Sequence, residues 1–165
     1  MKVFVQFSDL AQTVICSVFG NPQDPTAFPN QATIDDTDAR YQAFINPVSV
    51  VDQMWAKIKA FRDNRVQTGG YQASGKWFDS DTFSRSQQLG LVLMGANIPN
   101  GLQWKTMDGS FITMTQTLAG QIFAAAAAQD QATFSQAEVH NAAMRASATP
   151  STYDFSGGWP AIYAG

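Results

Sequence analysis

The chain has 165 residues, 45% hydrophobic and only 14% charged, with a net charge of −3. That length suits one domain, or a small domain with an added module, and the apolar share is enough for a core. The acidic balance speaks against general nucleic-acid binding, which draws on a basic face. The single Cys16 rules out an intrachain disulfide.

The acids include only one Glu, Glu138, so the polar surface must be built from Gln, Ser, Thr and Asn. A weakly charged surface with four Trp and twelve Phe predicts that much of it meets other protein. Residues 1–9, MKVFVQFSD, turn polar too soon for a signal peptide. The run from Phe123 to Ala128 is far short of the ~20 apolar residues of a membrane span. No leader and no membrane span are therefore expected.

In chain order, Val3, Val5 and Phe7 alternate with Lys2, Phe4 and Gln6, and Val14, Cys16 and Val18 alternate with Ile15, Ser17 and Phe19. Both runs read as strands of a β-hairpin, with Cys16 as a buried small residue. Residues 20–30, with three prolines, read as an extended linker or arm. Ala32 to Ile34 is a candidate short strand, and Asp38 to Phe44 a candidate short helix. The acidic run Asp35-Asp36-Thr37-Asp38 would sit at that helix's positive end, because the spacing and closing Glu of a calcium loop are missing.

Ser49-Val50-Val51-Asp52 resembles a capping box. Val51, Met54, Trp55, Ile58 and Phe61 form one apolar stripe of a helix over 50–65, with Lys57, Lys59, Arg62 and Arg65 on its other faces. Ser74-Gly75 marks a tight hairpin between Tyr71–Ala73 and Lys76–Phe78. Asp79-Ser80-Asp81 then offers helix N-caps. Paired carboxylates could also hold a divalent cation, but capping accounts for both acids. A second helix follows over 81–96, with Phe83, Gly90, Leu93 and Met94 near its inner side and Leu89 and Val92 widening the stripe. Close approach of another helix would offset the ~1 kcal/mol that Gly90 costs. Asp108-Gly109 signals a second hairpin between 102–106 and 110–114.

From Gln116 to about Ser147 the pattern is helical. Leu118, Ile122, Ala125, Ala126, Gln129, Ala132, Gln136, Val139 and Ala143 sit at helical spacings. The length leads to the expectation that the distal half projects beyond the domain. The tail, residues 148–165, has no period but is aromatic. Tyr153, Phe155, Trp159, Ile162 and Tyr163 are expected to anchor in pockets on a neighbour, the alternative being packing on their own domain. Phe4, Phe19 and Phe28 are the corresponding candidates at the N-terminal end.

No catalytic constellation emerges. His140 stands alone on the polar part of the long helix, and Ser84-Arg85 points to an ion pair with Asp79 or Asp81 rather than to catalysis. There is no P-loop, Rossmann glycine set or zinc spacing. An enzyme is not expected, nor a metal or cofactor.

Two stretches carry a family resemblance. Residues 18–24 (VFGNPQD) with 34–44 (IDDTDARYQAF) resemble the N-terminal module of many small proteins encoded beside tail-fibre genes of tailed bacteriophages. Ile58 to Asp63, Gly69-Gly70-Tyr71, Phe78 to Asp81, Ser84-Arg85 and Trp104 to Phe111 resemble an uncharacterised domain often found after that module. The resemblance covers roughly 3–145, and it implies a setting in tail or tail-fibre proteins, or their assembly factors, rather than a mechanism. The chain departs from the family in its aromatic tail and at Met107, where a small residue is more usual. The tail puts a purely transient chaperone role in doubt.

The expected fold is α+β. A β-hairpin attachment module with a Pro-rich arm spans 1–46. A three-helix domain with two short hairpins spans 47–147, and an extended aromatic tail spans 148–165. The expected caps are Ser49, Asp79 and Asp81. The expected function is structural, in the fibre or baseplate region of a phage tail. The protein would be made in the host cytoplasm and retained in the virion, oligomeric in an assembly and bound to other tail or tail-fibre proteins. The alternatives are a tail-fibre assembly chaperone that leaves, and a receptor- or glycan-contacting module with Trp77, Trp104 and Trp159 as stacking platforms.

Overall fold

Strand β1 (Lys2–Phe7) lies in the middle of a three-stranded antiparallel sheet, between β2 (Ile15–Phe19) and β3 (Gln31–Asp35). The computed structural model describes residues 1–165, which divide into two units, Met1–Ser49 and Val50–Gly165. The mixed α+β class read from the sequence holds. Two boundaries differ from expectation. The first unit is a three-stranded sheet rather than a hairpin with an arm, and the tail belongs to the second unit.

In the first unit Val3, Val5, Phe7, Ile15 and Ile34 form the core, with Ala32 and Tyr41 packed on it. Helix α1 (Ala39–Ile45) is capped by Asp38, which accepts from Arg40 N. The Arg40 guanidinium pairs with Asp38 and lies 4.8 Å from the centre of the Phe7 ring. It therefore holds the Asp38 carboxyl down at about 2, mainly by its side-chain hydrogen bonds.

Cys16 is exposed, not buried. The reason is a bulge: Gln6 faces Ser17 while Phe7 faces Ile15, so Cys16 has no partner across β1. The extra residue reverses the alternation. Ile15 points inward with Phe7, whereas Ser17 and Phe19 join the outer face with Gln6 and Phe4.

In the second unit α4 (Gln116–Ala146) is the element against which the others pack. Helices α2 (Val50–Thr68) and α3 (Thr82–Met94), and the first strand of the hairpin β4 (Tyr71–Ala73)–β5 (Lys76–Phe78), all contact it. Strands β6 (Gln103–Lys105) and β7 (Phe111–Thr113) form a second hairpin. The Ser74-Gly75 turn has positive φ at both residues, 49° and 75°, the geometry that favours glycine in a two-residue hairpin loop.

Two cores flank α4. Its proximal half buries Leu118, Ala119, Ile122 and Ala126 with Tyr71, Phe78, Leu91 and Met114. Its distal half buries Ala137 and Met144 with Met54 and Ile58 of α2, covered by Trp55, Tyr153, Phe155 and Trp159. The distal half therefore does not project. The α2 stripe and the tail aromatics give it a cover that a count of helix length misses.

The distal burial is also rotated from the predicted stripe. Thr133, Ala137, His140 and Met144 are inside, while Ala132, Val139 and Ala143 are exposed. Two of the buried four are polar and satisfied. Thr133 Oγ1 donates to Gln129 O at 2.8 Å, and His140, only 6% exposed, is held by the tail. An apolar count cannot see such positions.

Candidate functional site

The site begins at the turn into α3. Asp81 is its N-cap, its carboxylate accepting from Phe83 N at 2.9 Å and Ser84 N at 3.0 Å. The Ser84 hydroxyl adds a bond at 2.5 Å, and these bonds hold the Asp81 carboxyl below the ordinary range. Asp79 is not a cap. It lies two residues earlier, and only its carbonyl is used, accepting from Gln88 Nε2 at 3.0 Å. Ser49 stands directly before α2, where its cap was expected. No three His, Cys, Asp or Glu side chains gather in a group suited to a metal ion.

Arg85 pairs with neither Asp79 nor Asp81. Its guanidinium grips Asp130 of α4 with two bonds, at 2.6 and 2.9 Å, and donates to Ser80 O and Val66 O. It also lies 5.4 Å from the centre of the Tyr71 ring. The Asp130 hydrogen bonds raise the Arg85 pKa against the opposing effect of burial. Tyr71 donates its hydroxyl to Gln88 Oε1, and burial pushes its pKa up to about 12. Asp130 lies too far away in sequence for the spacing around Arg85 to reveal the pair. Gln88 carries no apolar signal at all.

This network turns α3 over. The helix buries Gln88 and Leu91 and half-buries Ser84, Arg85 and Val92. The residues predicted to face inward lie outside: Phe83 is 72% exposed and Leu93 79%, with Leu89 and Met94 also exposed. A Cβ added at Gly90 would meet nothing within 4 Å, so no helix of this chain approaches it there. The hydrogen-bonding side chains outbid the apolar ones for the interior because each has a buried partner. What remains outside is an apolar helix face with no cover from its own chain.

The tail anchors find their pockets within their own unit, which corrects the expectation of a neighbour. Trp159 packs on Phe61 with centroids 5.3 Å apart and on the His140 ring at 5.1 Å, and its indole donates to Phe155 O at 2.7 Å. Phe155 meets Phe61 edge-on at 5.6 Å. His140 lies 2.9 Å from Gly157 O through Nε2 and 3.0 Å from the Tyr153 hydroxyl through Nδ1. A neutral ring with its proton on Nε2 satisfies both, donating to the carbonyl and accepting from Tyr153. Further along, Tyr163 N donates to Gly69 O, and Arg65 reaches Pro160 O. Ile162 seats where a Cβ on Gly69 would lie 2.5 Å away, so Gly69 is required for tail closure. Met107 in turn fills the space a side chain at Gly70 would need.

At the other end the structure does bring the candidates together. Phe4 faces Phe19 across the sheet, on the side away from the core, and Phe28 meets Phe19 edge-on at 5.3 Å. The three rings form one aromatic patch on the first unit. Strands β2 and β3 are the sheet's two edges.

These features define an α+β protein with a small sheet unit and a three-helix unit closed by its own tail. Its only large departure from a satisfied surface on α3 is apolar rather than catalytic. Residues 50–157 match the family model described as a domain of unknown function, DUF4376, and the chain belongs to that family. The match runs into the tail, taking in Tyr153 and Phe155. Comparison with curated proteins and with solved structures gave no match. No helix is long and apolar enough to cross a membrane.

Proposed function

We propose that the chain is a structural component of a bacteriophage tail, in the fibre or baseplate region, working through protein–protein contacts. The observation that carries the contact role is the overturned α3. A helix that buries Gln88 and exposes Phe83, Leu89, Leu93 and Met94 presents an apolar face that a second protein would cover. The phage setting rests on the two sequence stretches that resemble tail-fibre-associated proteins. The sheet edges β2 and β3 suit strand addition by an extended segment of a partner, next to the aromatic patch of Phe4, Phe19 and Phe28.

The test is quantitative mass spectrometry of purified mature particles produced from the genome that encodes the chain. The expected result is a fixed copy number per particle. Recovery only from infected cells, bound to a fibre protein and missing from particles, would replace the structural role with that of an assembly chaperone.

A further inference from the structure

A polar cleft of about 270 Å³ opens between the start of α3 and strand β6, lined by Asp79, Ser84, Gln87, Gln103, Trp104 and Lys105. Asp79 and Gln87 lie on the turn into α3 and on its first turns, while the other wall comes from three consecutive residues of β6. The groups that line it are largely unused by the fold. The Asp79 carboxylate, the Gln87 amide and the Lys105 ammonium make no hydrogen bond or ion pair within the chain, and Trp104 donates its indole N–H to nothing. Burial of Gln88 in place of an apolar residue, described above, is what leaves Gln87 facing the cleft.

We propose that this cleft is a subsite for one pyranose residue of a saccharide. The donor and acceptor set is that of a polyhydroxyl ligand. Asp79 accepts from hydroxyls, Lys105 donates to them, and the Gln87 amide does both. The two opposite charges cancel, so a strongly anionic or cationic ligand gains nothing net. The indole of Trp104 supplies a flat, electron-rich face for the weakly positive C–H side of a sugar ring. The volume holds roughly nine waters, which suits one small polar molecule and falls short of the ~300–1,000 Å³ of sites for drug-sized ligands. The inference stands apart from the tail assignment and survives its failure. It also selects Trp104 among the three tryptophans considered from sequence. Trp159 is committed to the tail core, and Trp77 lies beside Tyr163 with centroids 6.3 Å apart.

The experiment is an NMR titration of the full chain with glucose, galactose, mannose, rhamnose and N-acetylglucosamine separately, following the Trp104 indole and Gln87 side-chain N–H signals. A ligand of about twelve non-hydrogen atoms at ordinary efficiency binds with a dissociation constant on the order of a few mM. The expected result is saturation by at least one sugar in that range, weakened about tenfold or more in both Asp79→Ala and Lys105→Ala. Those two side chains hold no partner in the fold, so the variants remain folded, and an unchanged backbone spectrum verifies it. If no sugar gives a saturable shift up to about 100 mM, the proposal fails. It fails equally if shifts appear but both variants bind as the parent does.

Discussion

Replacing Trp159 by Ala should unfold the helical unit far more readily if the tail closes it, and should change little if the tail is an anchor for another molecule. Trp159 is half-buried and touches Phe61, His140 and Phe155. A buried tryptophan removes about 150–250 Å² from water, so half of that is on the order of 100 Å². At about 25 cal/mol per Å² this gives roughly 2.5 kcal/mol. The ring pairs with Phe61 and His140 add about 0.5–1.5 kcal/mol. The total of about 3–4 kcal/mol agrees with the ~3–5 kcal/mol typical of Trp→Ala in a core. In urea, with a slope of about 2 kcal/mol/M, the midpoint of the helical signal at 222 nm should fall by roughly 1.5 M. Trp159→Phe keeps most of the ring and drops only the bond to Phe155 O, so it should cost about 1–2 kcal/mol. A loss below about 0.5 kcal/mol for Trp159→Ala, the level of an ordinary surface change, would refute tail closure.

Two further outcomes follow from the network under α3. Arg85→Ala leaves Asp130 facing a half-buried site without its bidentate partner and should cost about 2–3 kcal/mol, read by urea unfolding. A loss under 0.5 kcal/mol would make the pair an ordinary surface bridge. Tyr71 has its pKa raised to about 12 by burial, against 10.0 for an unperturbed tyrosine. Between those values the folded chain holds a proton that the unfolded chain has lost, so stability falls as pH rises through 10 towards 12, by up to about 2–3 kcal/mol. Tyr71→Phe should flatten that alkaline loss at the expense of neutral-pH stability, because Gln88 then loses a buried partner. An unaltered slope would place the alkaline loss on another group.

The elements themselves were plain in the sequence because local chemistry writes them. Asp81 and Thr115 cap, Ser74-Gly75 turns, and Val51 to Phe61 repeats at helical spacing; each of these is decided within a few residues. The faces were less legible, for one reason seen three times. A single bulged residue, Cys16, swaps the two sides of β2. Thr133 and His140 replace apolar residues in the distal core, and Gln88 with Arg85 does the same in α3. Their partners are Tyr153, Gly157, Asp130 and Tyr71, far off in sequence. A polar residue reads as surface until its buried partner is known. The tail misled in the opposite direction. Its aromatics looked like spare adhesive, yet the distal half of α4 lacked a cover of matching size.

That exchange of faces sets what a contact through α3 can supply. Fully burying a large apolar side chain contributes about 1.5–3 kcal/mol, and Phe83 and Leu93 are mostly available. Together they would give on the order of 4–5 kcal/mol, with smaller amounts from Leu89 and Met94. Association itself costs about 4–15 kcal/mol in lost freedom. On the proposed reading, then, α3 cannot hold a partner alone, and a second attachment is required. The first unit offers one through its sheet edges and aromatic patch. Two weak attachments on one chain act as a strong one when both engage the same assembly. Phe83→Ser with Leu93→Ser should therefore keep the urea midpoint within about 0.5 kcal/mol of the parent, since neither side chain is packed. Incorporation into particles should nevertheless fall by 100-fold or more, as should that of a chain carrying Phe4→Ser and Phe19→Ser. Full incorporation of the α3 variant would show that the exposed face is not what the assembly holds.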